Sequence, residues 1–206
     1  MPDPSLPPNH HADHPGFSGL SGLLIGVALT FGRKPAADLA ADLVSLGPED
    51  RLVDIGCGPG VAVRHALRRG AASAIGVDPA AVMLRLARLL TFDRRASWEQ
   101  GIAEALPLEA ACATVVWSLA TVHHWQDVEQ GLAETRRVLR PGGRFLAIER
   151  QVAHGATGMA SHGWIPEQAE AFAEQCREAG LTEVQFDAHD SGTVTLLVVR
   201  AALPGG

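Results

Sequence analysis

From residue 51 onward, two kinds of apolar run alternate along the chain. Short runs rich in Val, Ile, Leu and Ala are followed by longer stretches with apolar residues every three to four positions. The first kind fits strands buried on both faces, the second amphipathic helices. Reading each run by its period gives strand 51–56, helix 60–69, strand 73–78, helix 80–91, strands 96–101 and 113–118, helix 126–139, strand 143–149 and helix 166–179. Residues 35–45 precede them as a helix with Pro35 in its first turn. Two last strands, 181–189 and 193–201, are joined by Asp190-Ser191-Gly192, a hairpin turn signal. Strands alternating with helices predict an α/β, doubly wound, largely parallel sheet. No internal repeat interrupts it.

The first 34 residues follow another pattern. Residues 1–14 are rich in Pro, His and Asp, which predicts a poorly ordered tail. His10, His11 and His14 offer metal-ligand chemistry, but a solvated tail explains them with less. Residues 15–32 carry no charge. Leu20, Leu23, Leu24, Val27, Ala28 and Phe31 fall on one helical stripe, with Gly19, Gly22 and Gly26 off it. The segment 15–34 therefore reads as an apolar helix laid over the domain, either a lid or a homodimer contact. Five glycines make a poor membrane span, and no basic stretch precedes it as in a signal peptide. Arg33 follows it, either reaching a ligand carboxylate or standing as a solvated helix-end cation.

Composition narrows the function class. With 206 residues, a single domain (35–206) behind the leader segments is expected, large enough for a substantial core. The net charge of −6 and the lack of a Lys/Arg run argue against nucleic acid as a partner. Cys57, Cys112 and Cys176 are far apart and match no zinc spacing, so reduced thiols in a cytoplasmic protein are expected, with no metal. The absence of tyrosine excludes a tyrosine–lysine dehydrogenase.

The candidate chemistry sits in Asp54-Ile55-Gly56-Cys57-Gly58-Pro59-Gly60, between the first strand and the first helix after it. Glycines at every second position let backbone turn sharply and approach a ligand closely. The following helix N-terminus points N–H groups at the same place. The next strand ends in Asp78, whose carboxylate can accept from both hydroxyls of a ribose. This is the layout of a nucleoside-cofactor site, and the bland alternative is a tight strand–helix turn. A dinucleotide fingerprint counted from Gly56 would need glycine at 61, which is Val61. The acidic Asp54 suits a ligand carrying an ammonium group better than a pyrophosphate.

The Asp-x-Gly-x-Gly-x-Gly run resembles motif I of the class I S-adenosylmethionine (SAM)-dependent methyltransferases. The resemblance continues through residues 101–108 (Gly-Ile-Ala-Glu-Ala-Leu-Pro-Leu), 115–125 with the His123-His124 pair, and 137–145 (Arg-Val-Leu-Arg-Pro-Gly-Gly-Arg-Phe), covering about 35–200. It implies a Rossmann-like seven-stranded sheet of order 3-2-1-4-5-7-6 with strand 7 antiparallel. It also implies SAM as methyl donor and S-adenosylhomocysteine as product; a small-molecule acceptor is the leading reading. Gly56, Gly58 and Gly60, with Cys57 packed among them, would line the methionine moiety, and Asp54 would orient its ammonium. Asp78 would take the ribose hydroxyls, Pro79 and Met83 the adenine face, and Ala103 would donate a backbone N–H to the ring. Ser118 and Leu119 would pass near the methionine portion.

Two departures stand out. Many family members carry Asp where this chain has Ile102, which can only pack on adenine unless Glu104 substitutes. Residues 109–114 lack the usual acidic turn and Phe-Asp pair. For catalysis, His123 and His124 follow strand 4, where acceptor would approach, either as general base or as structural and cofactor-packing residues. His154 and His162 flank a glycine-rich loop after strand 5, and Trp125 and Trp164 either wall a substrate pocket or simply pack. The Asn/Asp-Pro-Pro-Tyr signature of nucleic-acid amino methylation is absent after strand 4, where Ser-Leu-Ala-Thr stands. A macromolecular acceptor and a non-catalytic SAM-binding role remain the other readings.

Overall fold

The computed structural model describes residues 7–12 and 34–206. The predicted apolar helix at 15–32, its lid, dimer and membrane readings, Arg33 and His14 lie outside the described residues. Among those described, no helix is long and apolar enough to cross a membrane.

Helix α1 (Lys34–Leu43) leads into strand β1 (Arg51–Ile55). Helix α2 (Val61–Arg68), β2 (Ser73–Asp78), α3 (Ala81–Leu89), β3 (Ala96–Gln100) and β4 (Ala113–Leu119) follow. Then come α4 (Val128–Val138), β5 (Leu139–Arg150), α5 (Pro166–Glu178), β6 (Thr182–Asp190) and β7 (Thr195–Ala202). The seven strands form one sheet in the order β3-β2-β1-β4-β5-β7-β6, with β7 antiparallel to both β5 and β6, as expected. Strand β1 lies between β2 and β4, the place where the strand order reverses.

The period of two along each strand divides the core. Val53, Ile55, Val116, Phe145, Leu197 and Val199 face the layer of α4 and α5, with Leu132 and Phe172. Leu52, Val115, Trp117, Leu146 and Ile148 face α1, α2 and α3, with Ala40, Val63 and Leu84. The inner strands are apolar on both sides because helices cover both faces. Trp125 and Trp164 belong to the first layer: both are buried and set their rings against Phe172. Both serve the packing of this layer.

Element ends moved by a few residues. The chain leaves α4 directly into β5, because Leu139 is buried and pairs with Ala113. The register then shifts before Val115 meets Arg144, so the Pro141-Gly142-Gly143 turn lies within a 12-residue strand. Asp127 caps α4 by accepting from the Gln130 N–H at 3.0 Å.

Residues 7–12 do not follow the expectation of a loose tail. They form a turn docked on the carboxyl-end edge of the sheet. The buried indole of Trp164 donates to the Pro8 carbonyl at 2.8 Å, and the Gln168 amide donates to the Pro7 carbonyl at 2.9 Å. Buried donors need acceptors, and this stretch of backbone supplies them.

Gly76, inside β2, shows how tightly the second layer closes. A Cβ there would lie 2.6 Å from the Trp98 ring and 2.7 Å from the Cys57 sulfur. Gly76→Ala is expected to destabilise the fold by about 1–3 kcal/mol in chemical denaturation. The penalty should shrink in a Trp98→Leu background; equal penalties in both backgrounds would show that the ring is not the obstacle.

Candidate functional site

The site begins where β1 ends. Gly56, Gly58 and Gly60 all have positive φ (73°, 52° and 77°), a conformation that side chains resist. A Cβ on Gly56 would overlap Thr121, and one on Gly60 would overlap the Trp98 ring. The loop after β4 and the side chain of β3 thus press directly on the glycine loop. For these two glycines the close approach is first of all that of the protein itself. Thr121 also donates to the Ile55 carbonyl at 3.0 Å, which locks the loops after β1 and β4 together.

The loops after β1 and β2 are joined more strongly. The N–H groups of Gly56 and Cys57 both donate to the Val77 carbonyl, at 2.8 and 3.0 Å. Asp78 then reaches across. One carboxylate oxygen accepts from the Gly58 N–H at 2.8 Å and the other from the Ala80 N–H at 2.9 Å. The group is only 8% exposed, at the crevice between the two loops. A carboxylate oxygen can accept more than one hydrogen bond, so the same group can also take hydroxyls.

The other residues expected in the site fall around this centre in two kinds of position. Asp54, Cys57, Met83, Ala103, Ser118 and Leu119 are buried and support the crevice from within. Cys57 lies against Gly76 and is packing. Pro79 is exposed and Ile102 is 40% exposed. They lie side by side, since the Gly101 N–H donates to the Asp78 carbonyl at 3.3 Å and Gln100 donates to the Pro79 carbonyl at 3.1 Å. Glu104 does not stand in for the missing acidic residue at 102. Its carboxylate accepts from the Gln126 and Asp127 N–H groups, at 2.6 and 3.1 Å, ahead of α4. Helix α4 holds the rest of that loop through Glu134, which accepts from the Leu106 N–H, and through Arg137, which donates to the Leu106 and Leu108 carbonyls.

A carboxylate for vicinal hydroxyls beside an open apolar surface is the donor set that an adenosine needs, so the residues present fit the adenosine end of SAM. The cavity lined by Arg51, Val53, Ser73 and Cys112 lies at the opposite, amino-terminal edge of β1 and β2.

Past Thr121, the short 3-10 turn Val122–His124 carries the two histidines singled out in the sequence. His162, and His10 and His11 from the docked turn, join them. The His11 ring stacks on His162 with centroids 4.4 Å apart and planes 13° apart, and the His123 and His124 rings lie 4.1 Å apart. The His11 N–H donates to the His123 carbonyl at 2.9 Å, and its Nε2 lies 3.0 Å from the Ser161 hydroxyl. His154 is elsewhere, paired with Glu167 at the surface.

The sequence reading missed Glu149. It is fully buried in β5, and its carboxylate lies 2.8 Å from His123 Nδ1. The available signal was a lone carboxylate at the end of the apolar run 145–148. Such a partner fixes the imidazole's orientation, and the other ring nitrogen, Nε2, lies 3.4 Å from His162 Nδ1.

Burial holds the His124 imidazole down to about 3, helped by neighbouring His123 and His162. Burial likewise lowers His11 to about 4, with His10, His162 and His123 adding to it. Both are uncharged at neutral pH. In the unfolded chain they would protonate below the ordinary 6.5. The unfolded state thus binds more protons as pH falls from 6.5 toward 4, and stability falls with it. Thermal midpoints measured from pH 7.5 to 4.5 should drop less steeply for His124→Gln than for the wild type; parallel curves would contradict this.

The matches to known proteins agree with this layout. A family model described as a methyltransferase domain matches residues 53–147. A 27-O-demethylrifamycin SV methyltransferase of Amycolatopsis mediterranei is 31% identical over 150 residues, 69% of this chain and 50% of that protein. A ubiquinone/menaquinone biosynthesis C-methyltransferase of Syntrophotalea carbinolica is 29% identical over 88% of this chain and 90% of its own length. The chain spans half or less of the length of the first curated relatives it matches. A SAM-dependent methyltransferase structure from Aquifex aeolicus superposes with a TM-score of 0.73 at 14% identity, over 87% of this chain and 97% of that one, a likeness of fold. The glycine loop tied to Asp78, the strand order and these relatives together place the chain in the class I SAM-dependent methyltransferase family.

Proposed function

We propose that the protein transfers a methyl group from SAM to a small organic acceptor at the crevice between the loops after β1, β2 and β4. The observation that carries the reading is Asp78, a nearly buried carboxylate joining the glycine loop to the start of α3. Asp78 holds the ribose hydroxyls, Pro79 and Ile102 flank the adenine, and Ala103 offers it a backbone N–H. The backbone of residues 56–60, with Asp54, Ser118 and Leu119 behind it, faces the methionine portion. When bound, the cofactor supplies a methyl carbon that takes an electron pair from the acceptor while the carbon–sulfur pair stays on sulfur.

The chain's own part is to hold the acceptor in line, exclude water and take its proton where its pKa requires. His123 Nε2, with Nδ1 held against Glu149, is placed to take that proton, and His124 lies beside it. The docked turn brings His10 and His11 over the same histidines. That crowding favours a small acceptor over a macromolecular one. Two of the relatives point the same way by name, since rifamycin and quinone precursors are small molecules.

Calorimetry with SAM and S-adenosylhomocysteine tests the cofactor assignment. Asp78→Ala should weaken binding about 10–100-fold, the value of one or two hydrogen bonds to a charged group. No binding by the wild type, or equal affinity in the variant, would overturn it. A screen of metabolite extracts for methyl incorporation from labelled SAM then tests turnover. Transfer to protein or RNA alone would overturn the small-acceptor assignment.

A further inference from the structure

We propose that His123, His124 and His162 form a binding site for a divalent transition metal of the zinc class, whose remaining coordination position takes an oxygen or sulfur of the methyl acceptor. The expectation of no metal rested on sequence spacing, which could not show these three residues meeting. One nitrogen from each ring can be chosen so that all three lie within 4.8 Å of one another. The pair His123 Nε2 and His162 Nδ1 is 3.4 Å apart. In a tetrahedral site with zinc–nitrogen bonds of about 2.0–2.1 Å, neighbouring ligand nitrogens stand about 3.4 Å apart. Two of the three ligands are therefore already at ligand spacing, and a nitrogen of His124 lies within 4.8 Å of both.

The surroundings match as well. Glu149, buried in β5, holds His123 Nδ1 at 2.8 Å, the carboxylate–histidine arrangement that fixes a ligating ring and directs Nε2 to the ion. Three imidazoles select borderline ions such as zinc or cobalt over magnesium or calcium, which prefer oxygen. Three protein ligands leave the fourth position open, the pattern of a catalytic rather than a structural ion. His11, stacked on His162, covers the cluster on one side.

The site's role in the reaction rests on the methyl-transfer reading; the metal binding does not. Thr121 touches the glycine loop, and His123 follows it by two residues, so the ion would sit beside the methionine end of the cofactor crevice. A metal at that point lowers the pKa of a coordinated hydroxyl or thiol, which gives its proton to water and presents its lone pair as an anion. With the ion bound, coordination at His123 Nε2 replaces proton uptake by that atom. This narrows the acceptor class to molecules with an ionisable hydroxyl or thiol.

The test uses the full chain without a histidine tag, stripped with chelator and titrated with Co²⁺ at neutral pH. The expected result is the visible absorption of tetrahedral Co²⁺, saturating at one equivalent and abolished by Zn²⁺ competition. His162→Ala should lose more than about a hundredfold in Co²⁺ affinity, and Glu149→Gln about 10–100-fold. Circular dichroism checks that each variant folds, and His124→Ala repeats the test should His162→Ala not fold. No Co²⁺ spectrum in the wild type, or wild-type affinity in folded His162→Ala or His124→Ala, would overturn the site. A SAM titration on the same samples separates the two claims. SAM binding without metal binding removes the metal site and leaves the methyl-transfer reading intact. Metal binding without SAM binding removes the acceptor role.

Discussion

The carboxylate of Asp78 is the point on which the site's geometry turns. It accepts from Gly58 on one side and from Ala80 on the other, and so couples the loop after β1 to the loop after β2. Hydrogen bonds to an ionised acceptor are about twice as strong as neutral ones, and here both donors are backbone. The backbone bonds from Gly56 and Cys57 to Val77 bring the two loops close enough for that reach. Glycine is required because Thr121 and Trp98 crowd the same loop from two other strands. Three strand ends and the Trp98 side chain of a fourth strand are thus fitted around one another before any ligand arrives. A preformed crevice of this kind binds without spending affinity on ordering its own walls.

A second centre lies one loop away. The buried Glu149 orients His123, and His124, His162, His10 and His11 gather around it. The two centres share the turn after β4. In the proposed reading, Ser118 and Thr121 serve the cofactor side, and His123 and His124 the acceptor side. That division is what a transfer reaction needs: one end recognises the donor and the other handles the acceptor's proton. Residues 7–12 close the second centre, with Pro7 and Pro8 supplying acceptors for Gln168 and Trp164.

The sequence made the first centre legible and left the second almost hidden. Short-range patterns decide the strand–glycine–helix unit, the acidic end of β2 and the final hairpin, so the fold and the Asp78 crevice could be read directly. Ile102 is exposed near the Asp78 loop, whereas Glu104 serves the start of α4. The histidine cluster depends on contacts across 26 residues between His123 and Glu149 and across 39 between His123 and His162. No local period encodes such distances. Residues 7–12 looked like tail because Pro and His are common in solvated segments; their backbone carbonyls, which every sequence has, are what the domain uses.

In the proposed reaction, Asp78 marks the ribose position and the turn after β4 marks the place where the methyl group leaves. A crystal structure with S-adenosylhomocysteine tests it most directly. Both ribose hydroxyls are expected on the Asp78 carboxylate, with the cofactor sulfur turned toward the Thr121–His123 turn. A ribose bound away from Asp78, or a sulfur directed away from the histidines, would contradict it.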